Sequence, residues 1–336
     1  MAISSTQSGK TGYPNKATML SIIIVNWNSL EYLRTCLQSI LHSESIPGLE
    51  IIVVDNNSTI DPRQSIAAEF PTVKVIRSER NLGFSGANNL GFRYSSGRYL
   101  LFLNPDTVVI GSALFTLLRS FASLPDAGIL GCKLLNSDGT LQTSCIQKFP
   151  TILNQLFDFE LLRSRWPMWS IWGIAPLFAN DPDAAAVEVV SGACLMMARD
   201  IFEQVGGFNE TYFMYAEDVD LCYRTRTAGR TVYYTGQAQV VHHGGGASKA
   251  RNGSAWIAVM QRRAILQFCR QLHGKSYAAA YRATTAFSSL VRLACLVFLR
   301  VLYMFTPAKH SFGSASSKWS AVLQWALGLD RDITFG

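Results

Sequence analysis

The sequence lacks paired cysteines. Its seven cysteines are scattered over 336 residues, and no two of them stand in a CxxC pattern. This scatter argues against a disulfide-stapled secreted module and against a structural zinc site, and it favours a reducing compartment. Because 49% of the residues are hydrophobic and only 16% are charged, a disordered or fibrous chain is excluded. The length suffices for a catalytic domain with an appendage.

The sequence also lacks an apolar core region near its start. Residues 1–18 are mostly small and polar, a composition that predicts a mobile tail and not a signal peptide. Internal repeats are absent as well, and no low-complexity tract follows residue 18. Taken with the cysteine usage, these features predict a cytoplasmic protein.

Acidic residues are absent from residues 221–329, which hold 14 Lys and Arg. Residues 1–220, by contrast, hold 15 Lys and Arg against 21 Asp and Glu. A basic surface attracts nucleic acid, an anionic bilayer or a phosphorylated substrate. We disfavour nucleic acid as a partner, because the acidic residues at 217, 218 and 220 would repel its backbone.

Short β-branched runs alternate with helical stretches from residue 20 onward. Nearly all-apolar runs predict strands buried on both faces, at residues 20–25, 50–54, 73–76 and 99–103. Helical spacing of apolar residues predicts helices at 30–40 and 114–121, and Asp61 followed by Pro62 is expected to cap and open another. The alternation predicts an α/β fold, a Rossmann-like and mostly parallel sheet flanked by helices.

The regular alternation stops near residue 149. Residues 149–180 include Trp166, Trp169 and Trp172, whose rings are candidates for an acceptor platform or for core packing. The apolar run 187–197 is expected to resume the sheet, and residues 239–241 to form a short strand. Residues 254–305 are expected to form two long helices separated near Gly274.

Polar side chains follow three of the predicted strands, namely Asn26, Asp55 and the pair Asn104 and Asp106. Ligands of open α/β sheets bind outside the carboxyl ends of the strands, so these side chains are expected to share one rim. Turn chemistry explains any one of the three positions, but all three together less readily. Asp106 suits a hard divalent cation, which needs one or two carboxylates plus substrate phosphates.

A glycine-rich segment, residues 80–91, lies between the third and fourth predicted strands. Its glycines, Gly83 among them, are expected to let backbone N–H groups approach an anion beside Arg80. The spacing matches neither the dinucleotide-binding GxGxxG nor the phosphate-binding GxxxxGK[ST] pattern. A dehydrogenase and an ATPase are therefore disfavoured.

Two further clusters stand near residues 217 and 242. Neighbouring residues of a helix project about 100° apart, so we expect only one of Glu217 and Asp218 to face a cleft. Acidic residues also favour a helix N-terminus for purely structural reasons. His242 and His243 precede a glycine run and are candidates for a metal ligand, a diphosphate donor or a structural role.

Six motifs together resemble those of the inverting glycosyltransferases of family two, which have the GT-A fold, and in particular their bacterial rhamnosyltransferase-like members. The motifs are IIIVNWNS at 22–29, VVDNNS at 53–58, NLGFSGANNLG at 81–91, LFLNPD at 101–106, FMYAEDVDLCYR at 213–224 and HHGGGAS at 242–248. They occur in the family's order and cover roughly residues 19–250. The pattern is specific for the family but not for the sugar.

The resemblance implies how the donor is held. Asp55 is implied to read the nucleotide base, and the segment around Arg80 and Asn81 to line the nucleotide pocket. Asn104 and Asp106 occupy the family's DxD metal motif, which implies Mg²⁺ or Mn²⁺ as cofactor. Because the first position is Asn, Asp106 is the only charged ligand in that motif.

The resemblance also implies the catalytic groups. Asp218 matches the family's general base, and Glu217 beside it is placed on the acceptor side. His243 is the better match to the metal-binding histidine, with His242 as the alternative. Together these residues imply metal-assisted single displacement with inversion at the anomeric carbon.

The substrates implied by the resemblance are a nucleotide-sugar donor, with dTDP-rhamnose favoured, and a lipid-linked or cell-surface glycan acceptor, commonly carried on polyprenyl diphosphate. A sugar nucleotidyltransferase is one alternative, and it would release pyrophosphate from a triphosphate. A membrane-bound glycan-binding scaffold without turnover is another, but such a scaffold needs no base. The motifs do not predict an oligomeric state.

Residues 286–305 form a twenty-residue apolar stretch, nominally long enough to span a bilayer. Arg292 and Arg300 lie about 80° apart on a helix, with Arg282 on the same side. A central arginine costs about 2.5 to 3.5 kcal/mol on insertion scales, so we expect a helix lying in the interface at the inner face of the cytoplasmic membrane. An ordinary helix packed on the catalytic core is the alternative.

The predicted organisation is a tail at 1–18, a GT-A domain at 19–250 and a basic helical extension at 251–336. The extension is expected to contact an anionic membrane surface, because it contains only two acidic residues and both lie in the last seven residues of the chain.

Overall fold

The computed structural model describes residues 19–157, 165, 166, 169, 183–244, 246–302 and 313–329, with only the backbone described for 246–252. The predicted tail at 1–18 and Trp172 therefore lie outside the described residues.

Nine strands of the described part form one mixed sheet. One half contains the parallel strands β1 (Leu20–Asn26), β2 (Leu49–Asp55), β3 (Val73–Arg77) and β4 (Tyr99–Leu103), in the order β3-β2-β1-β4. The sheet then continues through β10 (Cys194–Ala198), β6 (Ala127–Leu135), β11 (Thr231–His242) and β5 (Thr107–Val109), and β8 (Ala185–Ala186) pairs with β11.

Strand direction brings six carboxyl ends to one edge of this sheet. β10 runs antiparallel to both β4 and β6, whereas β6 and β11 are parallel to each other. The carboxyl ends of β1 to β4, β6 and β11 therefore meet at the same edge, and the amino end of β10 joins them. Five of the candidate residues end these strands or closely follow them: Asn26, Asp55, Asn104, Asp106 and His242.

The sheet core is apolar because helices cover both of its faces. All seven residues of β1 are buried, although alternate side chains of a strand point to opposite faces. The covering helices are α1 (Leu30–His42), α2 (Arg63–Glu69), α3 (Gly83–Arg93), α4 (Ala113–Ala122), α6 (Arg199–Gln204) and α7 (Glu217–Thr227). The short helix α5 (Ile152–Leu156) packs instead against the C-terminal helical part. Full burial of each large aliphatic side chain contributes about 1.5 to 3 kcal/mol. The predicted α/β class is confirmed.

Three local predictions need correction. The run 187–197 is not one strand: β9 (Val189–Val190) pairs with β7 (Ile146–Gln147) in a separate small sheet, and only β10 joins the main sheet. The strand predicted at 239–241 begins much earlier, at Thr231, because a register shift lets it continue along β6. Pro62 is the N-cap of α2 and not its first residue, and the Asp61 side chain accepts the N–H of Arg63.

The C-terminal part consists of α8 (Gly246–Leu302) and α9 (Gly313–Leu327). The backbone of α8 is non-helical at Gly253 and Gly274, so the predicted break near Gly274 is confirmed. Phe268 of α8 belongs to the main core, whereas the second half of α8 packs with α9 in an apolar cluster that includes Tyr281 and Trp325. Thus α8 connects two packed units.

Two arginines predicted to lie at a membrane interface have structural partners instead. Arg282 donates to the carbonyl oxygens of Trp325 and Ala326, each at 2.9 Å, and so caps the C-terminal end of α9. Arg292 is buried, with its guanidinium 4.2 Å from the centre of the Trp319 ring. The predicted interfacial position is wrong for both side chains.

Candidate active site

A cavity of about 280 Å³ opens at the carboxyl edge of the sheet. Strand ends, the start of α3 and the start of α7 all contribute to its wall. Seven of the candidate residues line it: Asn81, Gly83, Asn104, Asp106, Glu217, Asp218 and His242. Among the described residues, Asn26, Asp55, Arg80, Trp166, Trp169 and His243 are not part of this wall.

Asp106 and His242 form a pair on one side of the cavity. β5 pairs with the end of β11, with Thr107 opposite His242, and this pairing places the residue before β5 next to the histidine. The Nε2 atom of His242 lies 3.3 Å from Oδ1 of Asp106 and 3.2 Å from the amide nitrogen of Asn104. All three side chains therefore converge on one point of the wall.

Gln142 fixes the tautomer of His242. The Gln142 amide nitrogen donates to Oδ1 of Asn136 and to the His242 carbonyl oxygen, so its oxygen is the atom that faces the imidazole. That oxygen lies 2.7 Å from Nδ1 of His242, which must carry the proton. The lone pair of Nε2 then faces Asp106. A metal-binding histidine usually has its second nitrogen held in this manner.

His243, the preferred metal ligand at the level of sequence, points elsewhere. Its Nδ1 atom lies 2.8 Å from the Ser137 hydroxyl, and its ring lies 5.5 Å from the ring of Tyr32. Adjacent side chains of an extended segment project to opposite sides. The structure therefore places His242, the alternative, and not His243 at the cavity.

The Asp106 and His242 pair fits a divalent cation that is completed by its substrate. No group of three or more His, Cys, Asp or Glu side chains in the described ranges is arranged to hold a metal. Two protein ligands suffice for Mg²⁺, which commonly keeps its other positions for phosphate oxygens and water. Oδ1 of Asp106 and Nε2 of His242, 3.3 Å apart, are close enough to share a cation seated beside them.

Asp55 is fully buried and does not line the cavity. Its oxygens accept from the Asn26 amide at 3.0 Å and from the backbone N–H of Ser58 at 3.3 Å. Arg77, at the end of β3, lies 3.2 Å from the same carboxylate. In this structure Asp55 links the ends of three adjacent strands through Asn26 and Arg77, and its role in reading a nucleotide base stays a prediction.

Arg80 is exposed and lies outside the cavity wall. The arginine at this edge of the sheet is Arg77, which sequence reasoning missed although it directly follows the apolar run of β3. The neighbouring residue Asn81 does line the cavity, and it accepts from the amide of Asn56 at 2.9 Å. Of the predicted nucleotide segment, the structure places Asn81 and not Arg80 at the site.

The backbone N–H groups at the start of α3 already donate hydrogen bonds within the protein. The N–H of Leu82 donates to Asn56, that of Gly83 to Asn81 and that of Phe84 to the Phe213 carbonyl. Gly83 has a φ of +70°, and a Cβ there would lie 2.4 Å from the Phe213 oxygen. The absence of a side chain at Gly83 therefore lets the segment before α7 pack closely against α3. The expectation that this glycine makes room for an anion is corrected.

Glu217 and Asp218 both line the cavity, contrary to the expectation that only one would. They are the first two residues of α7, and the N-terminus of that helix points at the cavity. Tyr215 and Ala216, immediately before them, have left-handed backbone conformations, with φ of 69° and 59°. This bend aims the helix end at the cavity, so residues about 100° apart on the helix flank the same space.

The two carboxyl groups have different surroundings. Asp218 accepts from the N–H of Gly192 at 2.9 Å and from that of Val219 at 2.8 Å, whereas Oε2 of Glu217 is buried without a hydrogen-bond partner in the structure. Burial raises the pKa of both groups, and the Asp218 charge raises the pKa of Glu217 further. The two N–H donors stabilise the ionised form of Asp218, whereas the unpartnered Glu217 carboxyl favours its neutral form.

Trp166 and Trp169 stack on each other, with ring centres 5.0 Å apart, and both are substantially exposed. Neither ring is part of the cavity wall. Trp172 lies outside the described residues. The acceptor platform therefore stays a prediction for this aromatic pair.

Two useful residues had no recognisable signal in the sequence. Gln142 follows no strand end and belongs to no motif, yet it orients His242. Gly192 lies inside an apolar run that was assigned to a single strand, yet its N–H binds Asp218. Both depend on contacts between segments far apart in the chain.

The sequence profile described as Glycosyl transferase family 2 matches residues 21–206. The chain is 30% identical over 237 residues to the N-acetylglucosaminyl-diphospho-decaprenol L-rhamnosyltransferase of Mycobacterium tuberculosis, which covers 67% of this chain and 76% of that protein. It is 32% identical over 226 residues to a low-salt glycan biosynthesis hexosyltransferase of Haloferax volcanii, which covers 66% of this chain and 65% of that one.

The chain is also 28% identical over 236 residues to an O-antigen biosynthesis protein of Myxococcus xanthus; the match covers 69% of this chain but 18% of that protein. It thus spans less than two thirds of the myxobacterial and haloarchaeal relatives. Among solved structures, the mannosyltransferase of Pyrobaculum calidifontis with GDP-Man and Mn²⁺ has a TM-score of 0.58 and 16% identity, covering 94% of this chain and 87% of that one. This likeness confirms the predicted GT-A fold.

Proposed function

The chain belongs to glycosyl transferase family 2, and from that premise we propose that it moves a sugar from a nucleoside-diphosphate donor onto an acceptor hydroxyl with inversion. One observation supports this proposal above the others. The Asp106 and His242 pair and the Asp218 carboxylate, from distant parts of the sequence, line the same cavity. A donor diphosphate and an acceptor hydroxyl would each find a suitable group there.

Asp106 and His242 are the residues that would hold Mg²⁺ or Mn²⁺. When bound, the cation supplies positive charge that stabilises the departing nucleoside diphosphate. Asn104 directs its amide N–H toward Nε2 of His242, and Gln142 keeps the proton on Nδ1. Gln142 thus keeps the Nε2 lone pair toward the cavity, and the Asn104 hydrogen bond to that lone pair would give way when a cation binds.

Asp218 is the proposed general base. Its two backbone N–H partners fix the carboxylate at the cavity wall, where it takes the proton of the attacking hydroxyl as that oxygen bonds to the anomeric carbon. Glu217, which holds its own proton, is proposed to donate a hydrogen bond on the acceptor side. Because the nucleophile and the leaving group lie on opposite faces of the sugar, a single displacement inverts the anomeric carbon.

The donor and acceptor are proposed by analogy with the named relatives. The mycobacterial relative is named as an L-rhamnosyltransferase for a decaprenol-diphosphate-linked sugar. We propose dTDP-rhamnose as the donor of this chain and a polyprenyl-diphosphate-linked saccharide as its acceptor, at the inner face of the cytoplasmic membrane. The proposed division is a transferase domain at 19–250 and a helical extension at 251–336; the separate apolar cluster around Trp319 supports an extension.

The products test the proposed function. The full chain is incubated with a lipid-linked or synthetic glycan acceptor, Mg²⁺ or Mn²⁺, and a panel of dTDP- and UDP-sugars. We expect release of a nucleoside diphosphate and a new glycosidic bond whose NMR coupling constant shows inversion. Retention at the anomeric carbon, or pyrophosphate release from a nucleoside triphosphate, would contradict the proposal. Donor binding without any turnover would favour the scaffold alternative.

The two adjacent histidines provide a matched pair of variants. We expect His242→Ala to lower the transfer rate by at least about tenfold and to raise the metal concentration needed for half-maximal rate, because Nε2 is lost from the wall. His243→Ala removes only the contacts with Ser137 and Tyr32, so its rate should stay close to that of the wild type. Metal titrations of both variants check the assignment, and the opposite ranking would restore His243.

A further inference from the structure

The second half of α8 exposes a continuous apolar face. Phe287, Val297 and Phe298 are 62%, 63% and 67% exposed, and Leu290, Val301 and Leu302 are also more than half exposed. At about 100° per residue, these six side chains all project within about 80° of Phe287. They form one stripe, here termed the α8 stripe, about 22 Å long at 1.5 Å per residue.

We propose that the α8 stripe docks on the surface of an anionic lipid bilayer, with α8 lying flat in the interface. The inference deepens the proposed function, on which it rests for a lipid-linked acceptor. Large exposed apolar patches on a soluble fold mark contact surfaces. A helix with an apolar stripe and a basic flank typically lies in the plane of the membrane interface.

The charges around the stripe favour an anionic surface over a second copy of the chain. Residues 221–329 contain no Asp or Glu, and the exposed Arg300 projects about 60° beyond the edge of the stripe. In a two-fold dimer the same surface patch of both copies meets, so the basic residues beside the stripe of one copy would face those of the other and repel them. Anionic lipid headgroups, in contrast, attract each nearby Lys or Arg.

The opposite face of α8 favours a flat helix over one that spans the bilayer. Residues 253–302 are long and apolar enough to cross a membrane by length and composition. However, Ser288, Ser289 and Arg292 are buried on the side that packs with α9. A span would bring the packed helix α9 with it, and the 15 described residues of α9 cover only about 22 Å of the roughly 30 Å hydrocarbon core. On the described part of α8, the stripe is therefore the apolar face that is open to lipid.

Cys295 provides a reporter at the edge of the stripe. It is the one exposed cysteine, and the other six are buried. Burial raises the pKa of Cys36 to about 12 and that of Cys145 to about 11, so these thiols react slowly. A polarity-sensitive nitrobenzoxadiazole dye will thus label Cys295 selectively, and Cys295→Ser controls for labelling elsewhere.

The labelled full chain is titrated with vesicles of phosphatidylcholine alone or of phosphatidylcholine mixed with phosphatidylglycerol. We expect a blue shift and a rise in dye emission with the anionic vesicles, weaker with the neutral ones and reduced by salt. Unchanged emission with the anionic vesicles would overturn the proposal. Resistance of the bound protein to alkaline extraction would indicate a span and overturn the flat orientation.

A double variant tests the stripe itself. Phe287→Gln with Phe298→Gln should weaken binding to the anionic vesicles by at least about tenfold, because two large apolar side chains no longer enter the interface. Both side chains are exposed, so the melting temperature should not change. Ile60→Gln, at a 72% exposed position far from α8 in the sequence, is the matched control and should bind like the wild type.

Equal vesicle binding by the wild type and the double variant would overturn the proposal. So would a concentration-dependent dimer of the wild type, seen by sedimentation velocity, that the double variant abolishes. Transfer to a short-chain, water-soluble acceptor is measured in parallel. Its absence together with intact vesicle binding would count against the proposed function alone.

Discussion

Asp218→Asn is expected to lower the rate of sugar transfer by about 10² to 10⁴, because a positioned general base is typically worth that factor. The amide keeps the size of the carboxylate and can still accept the N–H of Gly192, so the fold should not change. It cannot take a proton. Affinity for the donor, measured by calorimetry with Mg²⁺ or Mn²⁺, should stay near that of the wild type.

Glu217→Gln is the comparison for this variant. A protonated carboxyl and an amide are alike in size and are both neutral, so Glu217→Gln should cost far less than Asp218→Asn. If the ranking is reversed, with Glu217→Gln the inactive variant, Glu217 is the base and the assignment is wrong.

The pH profile should reveal the same carboxylate. Burial raises the pKa of Asp218 above the ordinary aspartate value of about 3.9. A base works only when deprotonated, so kcat/KM should fall as the pH drops through this raised pKa and reach a plateau above it. In the Asp218→Asn variant the residual rate should lose this acidic limb. If the acidic limb persists unchanged in this variant, it reports the titration of another group and not of Asp218.

Asp106→Asn should lower the transfer rate by at least about a hundredfold, since the charge stabilisation that a metal supplies amounts to several kcal/mol. Unlike Asp218→Asn, it should also weaken metal-dependent binding of the donor, because the carboxylate 3.3 Å from Nε2 of His242 is lost. Calorimetric titration of the nucleoside diphosphate with and without Mn²⁺ separates the two variants.

Asp200→Asn provides a control at the opposite edge of the sheet. Asp200 lies in the first turn of α6, just after the carboxyl end of the antiparallel strand β10, so its loss should leave transfer and metal binding intact. Wild-type metal affinity in Asp106→Asn would show that the cation, if required, binds elsewhere.

The buried strands were the part of the fold most open to prediction. β1 and β2 are covered on both faces, so composition alone identified them, and their ends were correct to within about one or two residues. The same uniformity concealed the turn at Ser191 and Gly192. An apolar run does not show where the chain reverses, and the antiparallel direction of β10 depends on its neighbours.

The site was predictable as a set of residues but not in its contacts. Asp106 lies at the cavity because the carboxyl ends of strands meet, which the β-α alternation implied. Asp218 reaches the same cavity through the bend at Tyr215 and Ala216, which the alternation did not imply. The choice of His242 over His243 depends on the register of β11 against β5, which pairs His242 with Thr107. Sequence spacing also located Arg292 on a helix, but it could not reveal the Trp319 ring that covers the guanidinium.

The left-handed backbone conformations of Tyr215 and Ala216 imply a trade-off between thermal stability and catalytic turnover. Each such conformation costs about 1 to 3 kcal/mol in a residue other than glycine, and a typical domain is held together by only about 5 to 15 kcal/mol. Glycine at either position would relieve that cost but would loosen the bend. A lineage selected solely for heat resistance would drift toward glycine here, whereas one selected for rapid catalysis would keep the stiffer pair.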